Sequence, residues 1–427
     1  MKNMRHFFTL YGYELKKISK RKMVWITVSV VIFLAVFIGC GDIFSSRSIH
    51  HGQEKVVMTG LEYQRYEKKN KMKLNGKAID DILLKETREA YQRIHTLSYE
   101  EQEQGGQDAS SFTMVVGSFD GDMEKEKEFA RKRDEYEAIY HYIVDSTGKG
   151  EAIYTIDEKR LYTARHSNLV FHWIALGMTQ EEIEYWEKKE AMLETPFTYE
   201  YAEGWERIIK AVYSLCFTMG IAIACCLANV FSEEHMRKTD QLILCSRYGK
   251  RICYFAKVAA GITFGIVSGG ISLFVTSSTI LMLYGVEGKD AIIQILFPLC
   301  SRNMTVGQVV VMFVTIYLII CLLWSILTLF LSENTKNGVA VMGIMSGGIF
   351  LSMILDIPDS FRVLSQICEL HPVRLVSPWQ LWDNRLVRIF GVYLDNYEVA
   401  SMLYLLICVL LVFMGKHIYE NYQVRGR

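Results

Sequence analysis

The sequence predicts an α-helical polytopic membrane protein, with six transmembrane helices and a large helix-rich extracytoplasmic domain between the first and the second. Three observations predict it. Six apolar stretches, 23–40, 208–231, 258–284, 306–331, 338–355 and 399–414, carry no charge at their centres. A bilayer core about 30 Å thick is crossed by roughly 20 such residues in a helix. The charges are also partitioned: 47 basic and 47 acidic residues cancel over the chain, yet residues 41–206 hold 22 Lys and Arg against 33 Asp and Glu, leaving 25 and 14 for the rest. Finally, the basic surplus of that remainder sits at the ends of the apolar stretches. A single water-soluble globule and an extended disordered chain are both excluded.

Residues 1–22 read as a cytoplasmic amphipathic elbow helix. Phe7, Phe8, Tyr11, Leu15 and Ile18 share one face, while Glu14, Lys16, Lys17 and Lys20 occupy the rest of the circumference, a pattern suited to the membrane interface. The run 23–40 follows a basic segment, as a signal peptide would. Phe37-Ile38-Gly39-Cys40 is a poor small-residue cleavage site, so an uncleaved anchor is expected. Lys16, Lys17, Lys20, Arg21 and Lys22 precede this run and only Arg47 and Lys55 follow it closely, which puts the N-terminus inside.

The extracytoplasmic domain is then 41–206. Ile79, Ile82, Leu83, Ala90, Ile94 and Leu97 recur at helical spacing, as do Phe129, Tyr136, Ile139, Tyr140 and Ile143. Thr179 with Glu182 forms a capping box ahead of Ile183 and Trp186. Residues 104–111 and 146–150 read as loops, and His50-His51 as a loop doublet. The acidic charge reads as a solvated helical surface, with a surface for cationic peptides as the sharper alternative. The domain holds no cysteine, unlike exported domains that depend on disulfides. Cys300 and Cys368 lie in outer loops, where one disulfide is open to them.

The remaining residues, 207–427, form a transmembrane domain with five helices. Between its first two lies a cytoplasmic loop, 232–257, carrying Arg237, Lys238, Arg247, Lys250, Arg251 and Lys257. Its Leu242-Ile243-Leu244 is too apolar for a free loop and wants a partner or the membrane surface. Gly261, Gly265 and Gly269 follow at four-residue spacing, and close backbone approach across such a groove supplies packing energy in lipid. Helix packing within one subunit and a dimer seam both remain open. Gly343 and Gly347 give the fifth span a shorter version. The outer loop 356–398 carries Arg362, Arg374, Arg385 and Arg388 against the charge rule. Short helices dipping into the outer leaflet from 285–305 and 356–398, with those arginines at lipid phosphates, would account for it. Lys416, Arg425 and Arg427 place the C-terminus inside as well. A bacterial plasma membrane, crossed several times with both termini cytoplasmic, is the expected setting.

Several chemistries lack their residues. No Gly-x-x-x-x-Gly-Lys-Ser/Thr run cradles ATP phosphates, and no His-Glu-x-x-His or Cys-x-x-Cys pair indicates zinc. The six apolar runs hold no central ionisable group of the kind that coupled carriers keep near the midplane. The sequence therefore nominates no catalytic, cofactor-binding or metal-binding residue.

Phe231-Ser232-Glu233-Glu234, Lys238-Thr239-Asp240, Leu242-Ile243-Leu244, Lys250-Arg251 and Lys257 follow the second span in order. Leu370-His371-Pro372, Ser377-Pro378-Trp379 and Phe390-Gly391 precede the last. With the elbow helix, these resemble the membrane subunit of an ABC exporter of the ABC-2 permease superfamily, across residues 1–40 and 205–427. In that family's loop pattern a glycine precedes the threonine; Lys238 stands there in this chain. The resemblance implies a permease that is not itself an enzyme, exporting an amphipathic peptide, lipid or drug-like substrate. It would pair with a second permease subunit, as homodimer or heterodimer, on separately encoded ABC ATPase subunits that carry the ATP and Mg. Membrane lipid is a partner and nucleic acid is not. Glu233, Glu234, Arg237, Asp240 and Arg247 would then couple the loop to the ATPase through charge-assisted bonds; ordinary flanking charge is the plainer reading of the same residues. Set against a permease are a membrane sensor or scaffold with a ligand-binding ectodomain and, more distantly, a lipid-modifying enzyme.

Overall fold

A computed structural model describes residues 2–44, 47–51, 54–102, 123–237, 239, 243, 245–246, 249–355 and 357–421. The chain is mostly helical. Among the described residues, five helices are long and apolar enough to cross a membrane: Lys22–Cys40, Glu203–Met236, Arg251–Tyr284, Val306–Thr335 and Asn396–Asn421. A sixth crossing is available only if Gly338–Ile354 is taken together with the bent-back Asp359–Glu369. The chain is thus an α-helical multi-pass membrane protein. Its helices divide between two compact units, one of Met1–Gly39, Arg207–Ile280 and Val310–Arg427, the other of Cys40–Glu206 and Leu281–Val309.

In the first unit, α1 (Lys2–Ser19) leads through a sharp corner into α2 (Lys22–Cys40). Trp25 Nε1 donates to the Ser19 carbonyl at 2.8 Å and closes that corner. The expected apolar face of α1 is divided in use: Ile18 is buried and Tyr11 donates to Thr263 Oγ1 at 3.1 Å, whereas Phe8 is exposed. The second crossing is α8 (Glu203–Leu227) continued by α9 (Asn229–Met236), and it breaks at Ala228. The first N–H groups of a helix lack intrahelical partners, and Ala228 offers no capping side chain. Ser332 supplies the cap from a neighbouring helix: its Oγ accepts from Phe231 N at 3.2 Å and Ser232 N at 3.1 Å, and donates to the Ala228 carbonyl at 2.6 Å.

The third crossing, α10 (Arg251–Tyr284), begins seven residues before the apolar run expected from sequence and encloses Lys257. The loop expected over 232–257 is correspondingly shorter, since α9 runs to Met236 and α10 starts at Arg251. Next come α11 (Val306–Thr335) and α12 (Gly338–Ile354), the latter capped by Asn337 Oδ1, which accepts from Val339 N at 3.0 Å.

Beyond α12, helix α13 (Arg362–Glu369) is inside out. Ser365, Gln366 and Glu369 are buried while Val363, Leu364 and Ile367 are exposed, as suits a helix bathed in lipid rather than water. Two of the ill-placed arginines, expected at lipid phosphates, lie instead in ion pairs. Arg374 is held by Glu369, and the buried Arg385 by Asp383 at 2.7 Å. Burying a charge is costly unless it is paired, and the pairing cancels their weight in a charge count. The short α14 (Pro372–Leu375) follows, then the hairpin β3 (Leu386–Ile389) and β4 (Val392–Asp395). Phe390 and Gly391 carry φ of 50° and 85° at its two-residue turn, the positive angles that such a turn requires. The last crossing, α15 (Asn396–Asn421), completes the unit.

The second unit holds the strands β1 (Arg47–His51), which includes the His50-His51 doublet expected in a loop, and β2 (Glu54–Met58), paired antiparallel. Five helices follow: α3 (Gly60–Lys71), α4 (Asp81–Gln102), α5 (Met123–Thr147), α6 (Glu158–Ala175) and α7 (Gln180–Glu190). The stripes read on α4 and α5 meet in one core of Ile79, Leu83, Ala90, Ile139 and Ile143, although Ile82 faces outward. The side chains of Ile94 and Leu97, and the whole of the loop 104–111, lie outside the described residues. The capping box at Thr179 and Glu182 is present.

The unit ends at Glu206 as expected, but the expected domain 41–206 omits a second segment. Segment 281–309 belongs to this unit too, and Ile295 joins its core. Arg165 binds it in place, donating to the carbonyls of Pro298 at 2.7 Å and Cys300 at 3.4 Å while pairing with Glu190. The apolar stretch around Pro298, expected to dip into the outer leaflet, is therefore covered by protein. All ten cysteines carry free thiols, including Cys300 and Cys368.

Candidate functional site

The densest cluster of charge among the described residues of the first unit lies where α1, α9 and α10 meet. Helix α9 presents Glu233 and Glu234 one residue apart, about 100° around the axis, so they address different neighbours. Glu234 faces inward and pairs with both Lys17 of α1 and Lys257 of α10. Lys257 is 0% exposed, with Glu14 Oε1 at 4.0 Å and the Phe231 ring centroid at 5.2 Å. Glu14 in turn lies 3.8 Å from Lys17. Glu233 faces the helix corner: Arg21 reaches it at 2.7 Å and also donates to the Asn229 carbonyl at 2.9 Å. Three carboxylates and three cations thus fasten the elbow helix, the end of the second crossing and the start of the third.

This arrangement engages part of the coupling set within the chain. Glu233 and Glu234 were expected to reach outward to a partner; their carboxylates are already satisfied within the chain, and Glu234 is buried. The reason is electrostatic. A carboxylate at this depth needs a cation of its own, and Lys17 and Lys257 supply two. Arg237 is different: its side chain is 72% exposed, and it pairs with Glu233 Oε1 at 2.7 Å. Asp240 and Arg247 lie outside the described residues, as do Lys238, Leu242 and Leu244.

Gly261, Gly265 and Gly269 all turn toward α11. A Cβ at Gly261 would come within 2.7 Å of Leu329 Cδ1, one at Gly269 within 2.7 Å of Cys321 Sγ, and one at Gly265 would fall on Ser325 Oγ. The stripe is consumed by packing inside one subunit, which removes it as a dimer seam. Gly343 and Gly347 have open space around them.

Lys257 is the residue that sequence reasoning missed. Counted as a flanking charge, it looked like one more member of the inside-positive set. The signal available was its spacing: six residues past Arg251, it falls on the same apolar helix as Val258 and Ala260, and an ionisable group inside such a helix requires a named partner. Among the described residues no group of three or more His, Cys, Asp or Glu could hold a metal. The chain matches no protein-family model, no curated protein and no solved structure.

Proposed function

We propose that this chain is the membrane-spanning permease subunit of an ATP-driven ABC transporter of the ABC-2 type, exporting an amphipathic peptide, lipid or drug-like substrate, and driven by a separate ATPase. The observation that carries the reading is the ion-pair joint of Glu14, Lys17, Arg21, Glu233, Glu234 and Lys257. A permease powered from outside needs a rigid link between the loop its ATPase pushes and the helices that must move. Here the helix that enters the loop, the helix that leaves it and the elbow share one set of ion pairs, with Glu234 and Lys257 buried at its centre. Arg237, exposed at the mouth of the loop, is the residue to meet the partner directly, while Glu233 and Glu234 position it and pass on force. In this reading α12 counts as a sixth crossing, both termini are cytoplasmic in a bacterial plasma membrane, and 41–206 with 281–309 stand outside. Two such subunits assemble with two ATPases.

Purification of the tagged chain from its native host in mild detergent, followed by mass spectrometry, tests this. A stoichiometric P-loop ATPase, with a hydrolysis rate that changes on binding, is expected. Arg237→Glu should release that partner by about tenfold, since charge-assisted bonds are each worth roughly 1.5–3 kcal/mol, while the loss of its exposed pair with Glu233 costs the fold less than about 1 kcal/mol. Recovery of the chain alone, or with kinases or wall enzymes, overturns the transporter reading in favour of a sensor or scaffold.

A further inference from the structure

Beneath the corner between α1 and α2 lies a cavity of about 430 Å³, walled by α1, α2, α8 and α10. Its lining is almost entirely apolar, with Val28, Val31, Met219, Ile223, Val267 and Ile271 among the walls. Four of its five hydroxyls are spent on their own helices. Ser19 donates to Leu15 O at 3.0 Å, Thr263 to Ala259 O at 2.9 Å, Ser268 to Phe264 O at 2.7 Å, and Ser272 to Gly269 O at 2.8 Å. Little remains to orient a polar ligand, so the occupant has an apolar body.

The cavity has direction. Along α2 it is lined from Val24 to Ile32, which at 1.5 Å per residue is about 12 Å, most of one leaflet of a roughly 30 Å core. Its upper end is Ser19 and Trp25, at the helix corner where a tryptophan marks the membrane–water boundary. Around that corner the cations fall into two groups. Lys17 and Arg21 are neutralised by Glu234 and Glu233. Lys16, Lys20 and Lys22 are exposed, and among the described residues no carboxylate pairs with them. An apolar slot reaching through most of one leaflet, whose lining residues Leu15 and Ser19 are followed in sequence by the exposed Lys16 and Lys20, with Lys22 opening α2, matches one kind of molecule.

We propose that this cavity binds an acyl chain of an anionic phospholipid from the leaflet on the α1 side, with its phosphate held by Lys16, Lys20 and Lys22. The occupant is a resident lipid of the bilayer, and the site is independent of whether the chain transports anything. Each lysine near a lipid surface is worth about fivefold in affinity for anionic lipid, and the cavity adds selectivity for position.

The test uses the full chain in phosphatidylcholine nanodiscs, carrying a small fraction of phosphatidylglycerol with a photoactivatable diazirine in its acyl chain. Mass spectrometry after illumination should place the label on residues such as Val28, Ile223 or Val267, roughly a hundredfold above the label from a phosphatidylcholine probe of the same chain length, the product of three fivefold contributions. Replacing Lys16, Lys20 and Lys22 by Gln, all exposed and so without effect on folding, should abolish that preference. Ala222→Trp, which fills the cavity, should remove the label whatever the headgroup. Equal labelling by both probes, unchanged by the Gln variant, overturns the headgroup assignment. Label confined to the exposed Phe33 and Phe274 overturns the cavity. Either failure leaves ATPase co-purification untouched, so the two proposals fall separately.

Discussion

At the scale of residues, the buried ion pair of Glu234 and Lys257 makes one-sided substitutions costly. Lys257 is fully enclosed, and breaking a buried pair by removing one partner costs about 3–5 kcal/mol because the other charge is stranded. Lys257→Met should sit at the lower end of that range, since Lys17 still neutralises Glu234. Glu234→Gln strands Lys257 with only Glu14 at 4.0 Å. The double variant removes both charges and should be more stable than the worse of the two singles. Thermal unfolding in detergent across the four chains checks this, and additive losses would show that the pair is not coupled. Glu234→Lys, by contrast, would bring three cations together, so its failure to transport would report folding rather than coupling.

A second residue-scale effect belongs to α5. His141 and Glu137 lie 3.7 Å apart one helical turn from each other. The bond to Glu137 raises His141 above its ordinary value of 6.5, and the bond to His141 holds Glu137 below 4.5. A raised histidine stabilises the fold below its unfolded value, and that contribution disappears as pH climbs through the folded value. A lowered carboxylate does the reverse, contributing above 4.5 and fading as pH falls through its folded value. The pair therefore helps most between about pH 4.5 and 6.5. His141→Gln should lower the unfolding midpoint of the full chain near pH 6 more than near pH 9; an equal drop at both would mean the ring matters only for packing.

At the scale of elements, two glycine sets on different apolar helices behave oppositely. On α10, Gly265 meets Ser325 with no room for a methyl group. Gly265→Ala should cost about 1–3 kcal/mol, the usual range for overpacking. On α12, Gly343 and Gly347 have open space, and Ala there should be neutral or stabilising by up to about 1 kcal/mol through helix propensity alone. Unfolding midpoints of the three single variants decide it. The same spacing of small residues thus means a packed seam in one helix and an open face in the other. Only the position of a facing helix separates them.

At the scale of the whole molecule, the number of crossings settles sidedness. Five put the termini on opposite sides and six on the same side. The 17 residues of α12 span about 26 Å, close to the hydrocarbon thickness, and its continuation turns back as α13. Six crossings are expected. Single cysteines introduced at Tyr13 and Glu420 in a background without native cysteines should both resist an impermeant thiol reagent in intact cells, and one at Lys159 should react. Opposite behaviour of the first two would establish five crossings.

The sequence by itself determined the helical, membrane-crossing character. Long uncharged apolar runs have one stable form in lipid, where each backbone group must be bonded within its own helix. It determined helices α4, α5 and α7 as well, because periodicity and a capping box are local signals. It did not determine where charges end up. Glu233 and Glu234 look like a matched pair in sequence, yet one faces a helix corner and the other a buried lysine. Segment 285–305 reads as a membrane-dipping loop because it is apolar, and apolar residues do not say whether lipid or protein will cover them. Arg165, more than a hundred residues away, makes that choice by binding its carbonyls. Tertiary structure alone decides such questions, since desolvated charges and covered apolar segments are defined by partners distant in the chain.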